Sequence, residues 1–119
     1  MKQLLRSEQL MQMIICFAAL YYQPIHITWW LWLPVFLSPD VSMIGYLVNP
    51  KIGAILYNLA HHKGVAGICI AVGFFCQVPV SLFIGLVLWA HSSFDRVMGY
   101  GLKYSDSFQH THLGMIGKK

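Results

Sequence analysis

Apolar side chains dominate four successive stretches of this chain, residues 8–23, 28–48, 50–76 and 79–100, with polar or proline-bearing breaks between them. A helix needs about 20 such residues to cross a bilayer. Of the 119 residues 57% are hydrophobic and only 10% are charged, where ordinary soluble domains carry roughly a quarter charged residues. The expectation is an all-α, polytopic membrane helix bundle of about four crossings. It forms a single integral membrane domain over residues 1–119, with 104–119 as a polar cytoplasmic tail that folds back near Glu8 and Arg96. Lys2 and Arg6 at one end, and Arg96, Lys103, Lys118 and Lys119 at the other, place both termini on the cytoplasmic side of the plasma membrane. The net charge of +4 forms no basic stripe interleaved with aromatics. Lipid headgroups are therefore the expected partner, and nucleic acid is not.

The breaks between these stretches are chemically distinct. Gln23 and Pro24 end the first, and Tyr21, Tyr22, Trp29, Trp30 and Trp32 crowd the turn after it, as aromatics do at a membrane interface. Pro34 and Ser38-Pro39-Asp40 interrupt the second stretch, so a broken span is expected there, with Asp40 capping its second half. Asn49-Pro50 opens the third as a helix cap followed by proline at the first helical position, and Gly64 supplies a kink. Ala66, Gly67, Ala71 and Gly73 permit close helix approach. Cys16, Cys69 and Cys76 lack paired spacing and sit in apolar runs, which reads as small buried hydrophobes without a disulfide framework.

Chemistry concentrates where ionisable groups meet this apolar background. His91 and Asp95 are four residues apart and share a helix face, and Tyr57, Asn58 and His61 share another. If each stretch crosses the membrane as a helix, Asp40, His61 and His91 all come out about 16–18 Å from a membrane face. Buried ionisable groups are costly in lipid and mark function by default. Two imidazoles and two carboxylates make a normal site for one zinc-like divalent ion, with the charges of Asp40 and Asp95 balancing it. The metal set is therefore Asp40, His61, His91 and Asp95, and the four acidic residues of the chain are too few for a di-iron centre. Asn58 and Tyr57 are candidate substrate-orienting groups, and His112 in the tail is a candidate ligand or proton shuttle. An open metal position would activate water, pointing to a metal-dependent hydrolase of a lipid-like substrate. The alternatives are a haem-binding or electron-carrying bundle with His61 and His91 as axial ligands, and a non-catalytic membrane scaffold or transport component.

Several segments also carry a resemblance: SPDVSMIGY at 38–46, YNLAH at 57–61, and WAHSSFDRVMGYGLKY at 89–104 with the following F-x-x-THLG. Over nearly its whole length the chain resembles a family of small bacterial membrane proteins catalogued as domain of unknown function 4260. That resemblance implies a several-span inner-membrane protein, selects His61 over His62, and singles out Glu8 and His112. It implies no activity.

Overall fold

A computed structural model describes residues 1–116, which are mostly helical. Helix α1 spans Lys2–Tyr22, α2 Trp32–Leu37, α3 Pro50–His61, α4 Lys63–Phe75 and α5 Pro79–Val97. A 3₁₀ turn at Trp29–Leu31 leads into α2, and a ten-residue 3₁₀ stretch, Ser38–Leu47, comes after it. A small antiparallel ribbon pairs β1, His110–Thr111, with β2, Gly114–Met115. Lys118 and Lys119, part of the basic end used to orient the chain, lie outside the described residues.

Each boundary has a local cause. Residues 2–22 contain neither Gly nor Pro, and α1 continues until Gln23-Pro24. The buried Gln23 amide donates to the Leu20 carbonyl at 3.0 Å, and it also bonds the Ile25 backbone in both directions. One side chain thus satisfies the helix end and the turn beyond it. At the start of α3, Asn49 Oδ1 accepts the Ile52 N–H at 2.8 Å, with Pro50 at the first helical position. The Ser38–Leu47 stretch turns every three residues, which stacks Asp40, Met43 and Tyr46 along one side. Tyr46 lies over Gly53 of α3 so closely that a Cβ there would sit 2.3 Å from its ring.

Helix α5 is the element that the others are arranged around. Helices α1 and α4 pack along it, while α3 packs chiefly against the 3₁₀ stretch. Cys16, Leu20, Leu86, Val87 and Ala90 form the buried core between α1 and α5, with Trp32, Val35 and Phe36 of α2 closing it. Residues 98–116 return along α3: Lys103 bridges Thr111, and the Phe108 ring meets Tyr46 edge-on at 5.4 Å.

Three expectations are corrected. The four-crossing bundle is not built from spanning helices: among the described residues, none is long and apolar enough to cross a membrane. Helices α3 and α4 have 12 and 13 residues, about 18–20 Å against a hydrocarbon core of about 30 Å. Helices α1 and α5 are longer, but α1 begins with Lys2, Gln3, Arg6 and Glu8, and α5 ends with His91 through Arg96. The break in the third stretch falls at His62, whose extended backbone separates α3 from α4 and whose Nδ1 accepts the Gly64 N–H at 3.0 Å. Gly64 is needed for that cap because a Cβ would meet the His62 ring at 2.6 Å. The cysteines are free, but Cys76 is exposed, since it lies just past the end of α4.

Candidate metal centre

The helix ends and junctions bring four side chains to one point. Asp40 comes from the start of the 3₁₀ stretch, His61 from the last residue of α3, and His91 and Asp95 from the last turns of α5. One ligand atom of each lies within 4.8 Å of all the others. His61 Nε2 is 3.4 Å from Asp40 Oδ1 and 3.2 Å from Asp95 Oδ2. His91 Nε2 is 3.0 Å from Asp40 Oδ1 and 3.5 Å from Asp95 Oδ2. Ligand atoms around a tetrahedral zinc ion lie roughly 3.3–3.5 Å apart; two of these four separations fall in that range and two, at 3.2 and 3.0 Å, are shorter.

The imidazoles are held with their Nε2 atoms facing inward. His61 Nδ1 lies 2.9 Å from the Tyr57 carbonyl, and His91 Nδ1 lies 2.8 Å from the Phe36 carbonyl. A carbonyl only accepts, so Nδ1 carries the proton on each ring. In the neutral rings, each Nε2 then presents a lone pair to carboxylate oxygens, a meeting of acceptors that either a proton on Nε2 or a bound cation relieves. His61 Nε2 is buried and lacks a well-aligned hydrogen-bond partner despite its two close oxygens. The Phe36 carbonyl is available for a local reason: Pro39, three residues on, has no N–H to complete a 3₁₀ bond to it.

The electrostatics agree with this geometry. Burial pushes the Asp95 carboxyl up, but the His61 and His91 imidazoles beside it, the His91 charge and the Tyr57 hydroxyl outweigh it and hold the group below the usual carboxylate range. Burial pushes His91 down, and its bonds to Asp95 and Asp40 and their charges outweigh this and raise it. Burial, with Asp95 beside it, raises Tyr57 well above the ordinary phenol range, so it remains a donor. Its O–H donates to Asp95 Oδ2 at 2.9 Å while its ring stacks on His61 at 3.8 Å. Ser92 Oγ donates to the His61 carbonyl at 3.0 Å, fixing the end of α3. Tyr57 therefore supports two of the four clustered side chains at once.

The other expected site residues lie elsewhere. Asn58 does not reach the cluster: its amide clamps the Lys103 backbone, accepting the Lys103 N–H at 2.6 Å and donating to its carbonyl at 2.7 Å. His112 is also outside it, with Nδ1 accepting the Leu102 N–H at 2.8 Å, a bond that fastens the returning tail. Glu8 is exposed on α1 and, among the described residues, accepts a hydrogen bond from Gln12. Lys103 was not singled out by the sequence beyond its charge, yet it is 5% exposed. Its ammonium lies over Tyr57 at 4.5 Å and Phe108 at 3.8 Å from the ring centres. The one available signal was its place within GYGLKY, the distinctive segment just past α5.

Fold and site together define a class: a small helical protein that gathers two histidines and two aspartates into an inward-facing cluster suited to a metal ion. The chain belongs to the family described as Domain of unknown function (DUF4260), whose model matches residues 2–116. Neither a curated protein nor a solved structure matches it.

Proposed function

We propose that Asp40, His61, His91 and Asp95 hold one zinc-like divalent ion, and that the chain, seated in membrane lipid, uses it to hydrolyse a lipid-like substrate. The observation that carries the metal is the commitment of both Nδ1 atoms to carbonyls, which leaves two Nε2 atoms facing two carboxylates at 3.0–3.5 Å. Two carboxylates neutralise a divalent ion, so the filled site needs no further charge. When bound, such an ion lowers the pKa of a coordinated water and polarises an ester or phosphoryl oxygen. Tyr57 would orient Asp95, and the Phe36 and Tyr57 carbonyls would orient the imidazoles. Asp40 is the most accessible of the four, its side chain one-third exposed, which favours it as the ligand that yields to substrate.

The geometry favours a single ion over haem. The His61 and His91 ring centres are 4.9 Å apart and nearly edge to face, leaving no gap for a macrocycle between them. Membrane seating is supported by large apolar side chains left exposed on several elements, among them Trp29, Leu33, Val41, Leu47 and Phe75. Purification without chelators, then elemental analysis, should give one equivalent of zinc or a similar divalent metal per chain. A metal-free parent that takes up no added zinc would overturn the reading.

A further inference from the structure

A second cavity opens directly beside the cluster. It has a volume of about 320 Å³, and its walls include the polar side chains of Asp40, Asp95, Tyr57 and Lys103 together with Met43 and Phe94. A larger groove of about 790 Å³ lies between α1 and α2, where Phe17, Trp29, Trp32 and Phe36 line it. It carries no ionisable side chain but the Tyr21 phenol, and Phe36, whose ring packs on His91 at 5.4 Å, closes it from the clustered atoms. The smaller cavity therefore holds the chemistry.

Lys103 is the unusual member of that wall. Buried lysines are ordinarily paired with a carboxylate, but Lys103 Nζ donates to the Phe108 carbonyl at 3.0 Å and otherwise meets aromatic faces. The backbone of Lys103 is fixed on both sides by Asn58. With a divalent ion at the cluster, Asp40 and Asp95 are both neutralised, and Lys103 is left as a net positive charge on the cavity wall. An oxyanion is the group that balances it, reaching the metal with one oxygen and the ammonium with another. Met43 and Phe94 suit a short apolar body behind that head.

On the metal reading above, we propose that this cavity binds an amphiphilic oxyanion, a phosphate-type head on an apolar chain, with Lys103 as its anion-recognition residue. Cobalt(II) provides the test, because its visible bands respond to a change of ligand. The full chain in non-ionic detergent is loaded with cobalt, then titrated with inorganic phosphate and with hexyl phosphate. Both should shift the bands, hexyl phosphate at about tenfold lower concentration or less because its chain is buried. Lys103→Met should bind one cobalt per chain yet lose about tenfold or more in affinity for both anions, and Lys103→Arg should recover most of it. Met43→Trp, which takes up cavity volume while leaving Lys103 itself in the sequence, should block hexyl phosphate and leave cobalt content unchanged; unimpaired hexyl phosphate binding would overturn the placement. It serves as the independent test should Lys103→Met fail to fold. If the parent binds cobalt but neither anion moves its bands, or if Lys103→Met binds as tightly as the parent, the inference is overturned and the metal reading stands. Equal affinity for the two phosphates would overturn the amphiphilic class. A parent that takes up no cobalt would overturn both.

Discussion

At the residue scale, the site is a question of which nitrogen faces which oxygen. His61→Ala and His91→Ala should each lose most of the bound metal, as read by elemental analysis. His62→Ala should keep it, although removing the cap of α4 should lower stability by about 1 kcal/mol. Retention of full metal by both His61→Ala and His91→Ala would remove the metal centre. Tyr57→Phe deletes the bond to Asp95 while keeping the ring stacked on His61, and metal affinity measured by chelator competition should fall about 10- to 100-fold. Asp95 and His91 also set opposite pH dependences. Asp95, held low, stabilises the metal-free fold above the ordinary carboxylate range, and that contribution is lost as pH falls through its depressed value. His91, held above the ordinary 6.5, stabilises the metal-free fold in acid and loses that contribution as pH rises through its raised value. Metal competes with those same protons. Between pH 5 and 8 the melting temperature of the metal-free chain should therefore drift down while the increment gained from added zinc grows. An increment independent of pH would argue against the imidazoles as ligands.

At the element scale, the close crossing of the 3₁₀ stretch over α3 fixes where Asp40 stands relative to His61. Gly53→Ala should force the Tyr46 ring aside and cost about 1–3 kcal/mol, seen as a lower melting temperature; an unchanged melting temperature would show that this crossing yields freely. Much of the element order was legible from single residues. Asn49-Pro50 announced α3, Gln23-Pro24 ended α1, and the four-residue spacing of His91 and Asp95 placed them together on α5. Legibility failed where a side-chain contact that no residue type announces, near or far in sequence, decided the outcome. Ser38-Pro39-Asp40 read as an interruption, but the chain stays helical by tightening its turn; Asp40 faces the imidazoles as the metal set expected. Gly64 read as the kink because glycine is the usual breaker; the break belongs to His62, and Gly64 makes room for its ring. Lys103 was not singled out because what makes it unusual is burial under Tyr57 and a clamp from Asn58, 45 residues earlier.

At the scale of the whole molecule, the apolar composition is not spent on an interior. Leu47, Trp29 and Phe75 remain 80% or more exposed, and a surface of this kind calls for lipid or another apolar cover. The chain should co-float with phospholipid vesicles and resist extraction at alkaline pH, and reporters fused to its two ends should reside on the same side. Release into the aqueous phase would contradict the membrane seat while leaving the cluster untouched. The clustered side chains come from residues 40, 61, 91 and 95, so none of the three contributing segments can complete the centre alone. During synthesis the third and fourth ligands arrive only when α5 has left the ribosome, by which time α1, α3 and α4 already exist as chain. A nascent polypeptide halted at Leu88 would therefore hold just one imidazole and one carboxylate of the four clustered groups, so an ion that needs all four would be captured only at the last stage of biogenesis.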